Sequence, residues 1–491
     1  MSSNKLLTKS NYVVGLQCPK YLWIQLYEKE KIPAYDAATL HKFEEGHSVD
    51  ELARQFFPNG TNIPTEDFMG NIKQTKELLT QRKLIFQAGI LCNPIYSRVD
   101  ILNPSHNDAW DIIEVKGSTK VKPEHYNDVS FQKYCCEKSG LKIGKCFLMH
   151  VNNEYIKHGE IDPKGFLKME DITAEVDATT KGIEQRIDSM LKIIASKKCP
   201  EISINKNCNN PYECLLKESC WNFLPSGNVF ELYYGGAKSF ELFGEGIYSI
   251  KDIPANVSLT DRQKIQKDCA LTGKPYVSKK DIKEFLDTLS HPLYYLDFET
   301  FDPCIPIFDG TKPYQKIPFQ FSLHVVKKEG DKAQHYYFLA TGTDDPRPKL
   351  LASLKDALKD DGSIIVYHQS FEKNVLKELG EAYQDYKEWI DKVSERIKDL
   401  EDPFKSYAYY HPNQEGSASI KKVLPVIANK SYKGMKISDG EDASLAFIEM
   451  TYGNVSENRR EEIRDNLEQY CCLDTEGMVW IVERLKELTV A

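Results

Sequence analysis

The sequence predicts an α/β fold with two or three domains. Residues 96–117 alternate apolar and polar side chains on both sides of a turn-forming stretch, which is typical of a β-hairpin. Residues 291–300 read as an apolar strand that opens a second α/β unit, and helical patterns follow strands in both halves of the chain. At 491 residues, the chain is longer than one ordinary domain.

The composition is that of a globular protein, with 41% hydrophobic and 28% charged residues. No apolar run reaches the ~18 residues of a membrane helix. Residues 1–15 lack the apolar core and cleavage site of a signal peptide, so we expect a cytoplasmic protein with no membrane partner. The net charge of −9 does not indicate nucleic-acid binding. A local basic groove beside clustered carboxylates remains compatible with it.

In the hairpin, the period-two alternation places Arg98 and Asp100 on one face of the first strand, and Glu114 and Lys116 on one face of the second. Where these faces coincide, two carboxylates and an ammonium group converge beside an apolar layer. Carboxylates suit a hard cation such as Mg²⁺ or Mn²⁺, and a lysine can orient water or stabilise charge on a phosphate. Charged strand faces are common, so the alternative is a surface hairpin with a salt bridge.

The predicted division of the chain is 1–225, 226–285 and 286–491. Glycines punctuate short helices in the middle segment, which predicts a helical connector. A helix-hairpin-helix that presents backbone amides to a phosphate is the alternative for this connector. In the last segment, residues 319–326 and 334–340 are predicted to be antiparallel neighbours.

Two further acids stand out in the last segment. Asp297 and Glu299 share one face of an otherwise apolar strand, where a buried charge is costly unless it is paired or binds a metal. In the closing helix, 458–489, Asp474 falls within the apolar stripe, and Tyr470 lies four residues earlier on the same side. Each acid alone could be a satisfied structural carboxylate. Together they indicate a divalent-metal site.

The motifs LDFET, YHQSFEKNVL and YCCLD resemble those of the DEDD exonucleases, which have an RNase H-like fold. That family carries Asp-x-Glu on its first strand and a third acid, usually aspartate, after a later strand. Its tyrosine subtype carries Tyr-x3-Asp on the final helix. The resemblance implies that Tyr470 orients the attacking water. It also implies that two Mg²⁺ or Mn²⁺ ions are held by Asp297, Glu299, Glu372 and Asp474.

The motifs RVDI and EVKG, with a glutamine on the helix that follows, resemble the RecB-like branch of the PD-(D/E)xK nucleases. The resemblance implies a restriction-endonuclease-like domain whose metal ligands include Asp100 and Glu114. Lys116 would be its catalytic lysine and Gln132 its motif glutamine. An early helix of that family offers a further histidine or acid, for which the candidates here are His47, Asp50 and Glu51.

Thirteen cysteines in a chain without an export signal argue against a disulfide framework. Three of them follow a Cys-x5-Cys-x5-Cys pattern in a stretch rich in Asn and Pro, which suits a metal staple better than a core. One subset of RecB-like nucleases, including CRISPR-associated and AddB-type enzymes, has one cysteine before the nuclease motifs and three after them. That resemblance implies a [4Fe–4S] cluster, with zinc as the alternative. Its ligands would be Cys18, Cys208, Cys214 and Cys220.

The whole layout resembles a bacterial family of uncharacterised proteins in which a RecB-like nuclease is fused to an RNase H-like exonuclease. The resemblance implies a two-headed, metal-dependent nuclease that acts on DNA in repair, recombination or phage defence. One alternative is an RNA 3′-5′ exonuclease. Another is a nucleic-acid-binding clamp with one inactive head, because Glu372 replaces the usual aspartate. The sequence does not identify a protein partner.

Overall fold

The computed structural model of the protein describes residues 5–490. The fold is mixed α/β, as predicted, and the chain forms two compact units. The first unit contains the chain up to Asn222 together with Pro303–Tyr314. The second contains Phe223–Asp302 and the chain from Gln315 onward. The chain thus leaves the second unit once, adds residues 303–314 to the first, and returns. The predicted division of the sequence did not include this excursion.

The first unit is built on a seven-stranded sheet. In chain order, its elements are β1 (Leu7–Thr8), α1 (Lys9–Gln17), α2 (Pro19–Tyr27), α3 (Ala37–Gln55), β2 (Thr61–Asn62), α4 (Phe68–Thr80), β3 (Ile85–Cys92), β4 (Ile95–Pro104), β5 (Trp110–Lys116), α5 (Pro123–Lys138), β6 (Ile143–Val151), α6 (Pro163–Phe166), β7 (Leu167–Asp171), α7 (Thr173–Thr180), α8 (Ile183–Ala195) and α9 (Lys217–Trp221). The strand order is β2-β3-β4-β5-β6-β7, and β1 pairs with β4.

Strands β4 and β5 are antiparallel neighbours with Ile101 opposite Ile113, which confirms the predicted hairpin. Strand β6 lies parallel to β5, and α5 connects them. One face of the sheet packs against α5 and α8, for example through Val129 and Ile187. The other face packs against α3 through Val49. Because both faces are buried, the register of the hairpin strands is strongly specified.

The second unit contains a five-stranded sheet and a separate two-stranded one. In chain order, its elements are α10 (Gly236–Gly244), α11 (Asp261–Thr272), β8 (Tyr276–Val277), α12 (Lys279–Leu286), β9 (Leu293–Phe301), β10 (Ile317–Val326), β11 (Gln334–Leu339), α13 (Arg347–Ala357), β12 (Ser363–Val366), α14 (Gln369–Ala382), α15 (Lys387–Glu395), β13 (Ile397–Asp399), α16 (Asp402–Lys405), β14 (Tyr409–Tyr410), α17 (Ile420–Ala428), α18 (Gly440–Tyr452) and α19 (Glu457–Val490). The large sheet has the order β11-β10-β9-β12-β13, and β14 pairs with β8.

Strand β10 is antiparallel to both β9 and β11, which confirms the predicted antiparallel neighbours, whereas β12 is parallel to β9 and β13. On one face of β9, Leu296 and Phe298 belong to a core that includes residues of α13, α14 and α15. Helix α19 lies on the opposite face, where Gln320 Nε2 donates to the Leu467 carbonyl at 3.0 Å. The alternation along β9 therefore turns Asp297 and Glu299 toward α19.

Short breaks separate two pairs of consecutive helices in the first unit. Between α1 and α2 stands Cys18, whose backbone is extended and whose successor, Pro19, begins α2. Proline disfavours a helical residue before it, which accounts for the break. Before α8 stands Gly182, which has a φ of 75° that glycine adopts readily. Within residues 5–490, no helix combines the length and apolarity needed to cross a bilayer.

Candidate metal centres

The β4–β5 hairpin brings Asp100 and Glu114 to one site, as the sequence predicts. Glu114 is buried, and its Oε1 accepts hydrogen bonds from Lys9 Nζ at 2.7 Å and Lys116 Nζ at 2.9 Å. Gln132 Nε2 donates to the other oxygen, Oε2. Asp100 Oδ2 accepts from the backbone N–H of Val115 at 3.0 Å. The hairpin and α5 therefore converge on one carboxylate.

The two carboxylates of this site have opposite electrostatic environments. Burial raises the pKa of Asp100 to about 7, and the neighbouring Glu114 carboxylate raises it further than Lys9 lowers it. Burial also acts to raise the pKa of Glu114, but Lys116 and Lys9 outweigh it and hold that pKa below its usual range. Asp100 is thus a desolvated acid beside a charged one. A divalent cation between them would relieve this repulsion, so the donor set fits Mg²⁺ or Mn²⁺.

A cleft of about 590 Å³ opens beside these carboxylates, and α3 forms one wall of it. His47 and Asp50 line the cleft, whereas Glu51 is exposed and does not line it. The Asp50 carboxylate is ion-paired with Arg54 and contributes to raising the pKa of Asp100. Of the three candidates on the early helix, Asp50 and His47 therefore lie at the site, and Glu51 does not.

Lys9 is a residue of this site that the sequence analysis missed. It is the first residue of α1, more than a hundred positions before Glu114, and nothing in its local sequence distinguishes it from a surface lysine. Lys116 is also held on both sides, because its Nζ donates to Asp128 Oδ2 at 2.6 Å as well as to Glu114. Asp128, on α5, is a second residue that only the fold places here.

The second group of acids gathers between β9 and α19. A carboxylate oxygen of Asp297, one of Glu299 and the Cys471 Sγ all lie within 4.8 Å of one another. Desolvation raises the pKa of Asp297, and the Asp474 carboxylate raises it further. Burial raises the pKa of Glu299 as well, together with its neighbours Asp297 and Asp474. Such mutually repelling carboxylates fit the binding of a divalent cation.

Asp474 and Tyr470 lie on the same side of α19, as their spacing predicts, and both line a cleft of about 460 Å³ with Asp297 and Glu299. Burial raises the pKa of Asp474 to about 6, although hydrogen bonding from Tyr432 opposes the rise. The Tyr432 hydroxyl donates to Asp474 Oδ1. Tyr432 was not identified from the sequence, because it lies in a loop that only the tertiary fold brings to α19.

Glu372 lies in the first turn of α14 and is only 1% exposed. Burial raises the pKa of Glu372, and the nearby Asp297 carboxylate adds to the rise. Its Oε2 is buried without a hydrogen-bond partner, as expected for an oxygen that would bind a cation. The start of α14 is fixed by Asp399, which accepts from the backbone N–H groups of His368 at 2.9 Å and Gln369 at 3.1 Å. Glu372 is therefore close enough to Asp297 for their carboxyl groups to interact, but it does not line the cleft that contains Asp297, Glu299 and Asp474.

The four predicted cluster cysteines converge in the first unit, at the junction of α1 and α2. Burial raises the pKa of the Cys214 thiol to about 11, and Cys18, Cys208 and Cys220 are close enough to contribute. Lys20 Nζ lies 3.4 Å from Cys220 Sγ, where it would stabilise a thiolate. A fifth cysteine, Cys199, packs against the same apolar residues and was not singled out from the sequence.

Hydrogen bonds connect the segment that carries Cys18 to the segment that carries Cys208 and Cys214. Gln17 Nε2, at the end of α1, donates to the carbonyls of Asn207 at 3.0 Å and Tyr212 at 2.6 Å. Among residues 5–490, no three of the four sulfurs lie within 4.8 Å of one another. Four thiolate ligands suit either a zinc ion or an iron–sulfur cluster.

Comparison with known proteins identifies relatives without assigning them an activity. Residues 294–419 match a family described as a domain of unknown function, DUF2779, and this range includes Asp297, Glu299 and Glu372. The chain is 29% identical over 234 residues to the uncharacterized protein MG366 of Mycoplasma genitalium, covering 44% of this chain and 35% of that protein. It is 28% identical over 224 residues to the MG366 homolog of Mycoplasma pneumoniae, covering 42% and 34%. The chain spans about a third of the length of the curated relatives it matches.

Proposed function

We propose that the protein is a metal-dependent nuclease acting on DNA, with two active sites. The observation that carries the proposal is that desolvated carboxylates line two separate clefts. Lys116 lies beside the carboxylates of the first cleft and Tyr470 beside those of the second. Acids from β4 and β5 line the first cleft, and acids from β9 and α19 line the second, where Asp297 also interacts with the Glu372 carboxyl group of α14. When bound, divalent ions would supply activation of water and neutralisation of charge on the phosphate.

In the first site, Asp100 and Glu114 would hold the ion. The Lys116 ammonium, fixed between Glu114 and Asp128, would stabilise charge that develops on the phosphate. Gln132 would keep the Glu114 carboxylate in position. Basic side chains at the rim of the cleft would contact the backbone of the nucleic acid. These side chains are Lys42, Arg54 and Arg98. This arrangement supports the assignment of a RecB-like, PD-(D/E)xK fold to the first unit.

In the second site, the ion ligands would be Asp297, Glu299, Glu372 and Asp474. Tyr470 would orient water, and Tyr432 would hold the Asp474 carboxylate through its hydroxyl. Acids on the central strand, after a later strand and on the last helix are what the resemblance to tyrosine-type DEDD exonucleases implies. We therefore assign this unit an RNase H-like fold and 3′-5′ exonuclease activity.

The experiment uses full-length protein purified anaerobically and end-labelled DNA and RNA oligonucleotides of the same sequence. We expect Mg²⁺- or Mn²⁺-dependent shortening of DNA from its 3′ end, a separate pattern of cutting by the first site, and no product in EDTA. Faster shortening of RNA than of DNA would reassign the substrate. Absence of cutting with either ion would contradict the proposal.

The four-cysteine group would hold a [4Fe–4S] cluster that also positions Lys9. Helix α1 begins at Lys9, whose Nζ contacts Glu114, and ends before Cys18. Loss of the cluster would free the end of α1 and disturb the Lys9–Glu114 contact. We predict that Cys208→Ser loses the bound iron and reduces cutting by the first site about tenfold or more, as mutations that disturb the support of a ligand do.

This prediction is checked by iron analysis and by separate assays of the two activities. Cys92→Ser is the matched control, because Cys92 lies on β3 in the same unit and is also a free, half-buried thiol. The control should retain iron, and both variants should retain shortening of 3′ ends by the second site within about twofold, the scatter expected of an independent site. Full iron content in Cys208→Ser would contradict the cluster assignment.

A further inference from the structure

Two histidines and a cysteine form a third group of metal-ligand side chains, at the edge of the large sheet in the second unit. His324 on β10 lies directly opposite His335 on β11, and their rings stack with centroids 4.4 Å apart. Cys472 of α19 approaches the pair, with its Sγ 3.9 Å from His335 Nδ1. One ligand atom from each of the three residues lies within 4.8 Å of the other two.

The other ring nitrogens of the two histidines are already held by hydroxyl groups. His324 Nδ1 is 2.8 Å from Thr475 Oγ1, and His335 Nε2 is 2.9 Å from Ser322 Oγ. These contacts leave His324 Nε2 and His335 Nδ1 without an assigned hydroxyl partner. A metal-binding histidine typically has one nitrogen on the ion and its other nitrogen fixed by a hydrogen bond, and a hydroxyl group fixes one nitrogen of each of these two rings.

The histidines are also available as neutral ligands. His324 is buried, which disfavours a charged ring and lowers its pKa, and the adjacent His335 ring lowers that pKa further. A neutral imidazole is the form that binds metals. Two nitrogens and one sulfur favour a borderline ion such as Zn²⁺ over Mg²⁺ or Mn²⁺, which prefer oxygen ligands.

We propose that His324, His335 and Cys472 bind one Zn²⁺ ion that fastens α19 to the β10–β11 hairpin. The Cys472 thiol releases its proton to solvent on binding. Because His335 is exposed, the fourth position of the ion is open to water. This site is distinct from the acids that face the second cleft, and the proposal does not depend on nuclease activity.

The test measures Zn²⁺ retained by full-length protein after incubation with Zn²⁺ and dialysis. The variants are His335→Ala and Cys472→Ser, both at positions that are at least partly exposed, and circular dichroism checks their folding. His158→Ala is the matched control, because His158 is an exposed histidine of the first unit. Zinc uptake by the carboxylates and by the four-cysteine group is the same in all four proteins and cancels in the comparison.

We expect each of the two variants to retain one Zn²⁺ fewer than the wild type, and the control to retain the same number. Co²⁺ provides a second readout, because a thiolate ligand gives a charge-transfer band that the difference between wild type and Cys472→Ser would isolate. Equal zinc retention by wild type and both variants would overturn the proposal. So would a cobalt difference spectrum without the thiolate band.

Discussion

Asp297→Asn is expected to slow the shortening of DNA 3′ ends by at least about a hundredfold, a loss typical of removing one group that stabilises charge in an active site. The side chain keeps its size and loses the charge that would bind a cation. A carboxylate oxygen of Asp297 lies within 4.8 Å of one of Glu299, and the Asp474 carboxylate raises the pKa of Asp297, so Asp297 is central to this group of acids. The measurement is the rate of product formation at saturating Mg²⁺.

The same variant is expected to be more stable than the wild type when EDTA removes divalent ions. Burial raises the pKa values of Asp297, Glu299 and Asp474, so the fold disfavours their charged forms at neutral pH, and the substitution removes one of these three penalties. For a unit of this size, each 1 kcal/mol gained in the free energy of unfolding raises the Tm by about 2–4 °C. A gain in stability together with a loss of activity is the expected signature of a functional site, where charge is concentrated at a cost to the fold.

The control for both measurements is Asp465→Asn. Asp465 is an exposed acid on α19 and lies outside the second cleft, so its substitution should change neither the rate nor the Tm measurably. Retention of shortening within about threefold in Asp297→Asn, a far smaller change than ligand loss produces, would show that this carboxylate is not a ligand in the reaction.

Residues that share a site could be predicted from the sequence where they are neighbours in the same strand, helix or hairpin. Asp297 and Glu299 share a face because side chains alternate along a strand, and Tyr470 and Asp474 share a side because α-helical neighbours are four residues apart. The hairpin that joins Asp100 to Glu114 is also a local structure. In each case, the local secondary structure alone determines that the two residues lie close together.

The supporting residues could not be predicted, because the tertiary fold alone brings them to the acids. Lys9 reaches Glu114 from the beginning of the first unit, and Tyr432 reaches Asp474 from a loop before α18. The choice among the α3 candidates depends on the rotation of that helix against the sheet, which local sequence does not determine. The structure turns Asp50 toward the cleft and leaves Glu51 exposed.

Glu372 stands where the exonucleases that the sequence resembles usually carry an aspartate, and its carboxyl group interacts with that of Asp297. The resemblance implies an aspartate as the third acid, and the longer glutamate side chain here extends from the first turn of α14. Asp399 accepts the backbone N–H groups at the start of that helix and so fixes where the glutamate begins. This contact between the loop after β12 and β13 fixes the start of α14, and the sequence of either segment alone does not reveal it.

Lys116→Met is expected to reduce cutting by the first site by at least about a hundredfold, because the variant retains the apolar stem and loses the ammonium that would stabilise charge on the phosphate. Glu114 keeps its contacts with Lys9 and Gln132, so we expect the protein to fold. The loss of two hydrogen bonds from Lys116 should lower the free energy of unfolding by on the order of 1–3 kcal/mol. The measurement is made in an Asp297→Asn background, in which the second site contributes little.

Lys145→Met is the matched control for this substitution. Lys145 lies on β6 of the same sheet and pairs with Asp171 at 2.9 Å on the surface, where an ion pair contributes little. The control should cut at the rate of the parent protein. If Lys116→Met cuts as fast as Lys145→Met, then Lys116 is a structural partner of Glu114 and Asp128, and the first unit binds nucleic acid without cutting it. If both are inactive in the Asp297→Asn background, all cutting belongs to the second site, and the first site is inactive even with its lysine present.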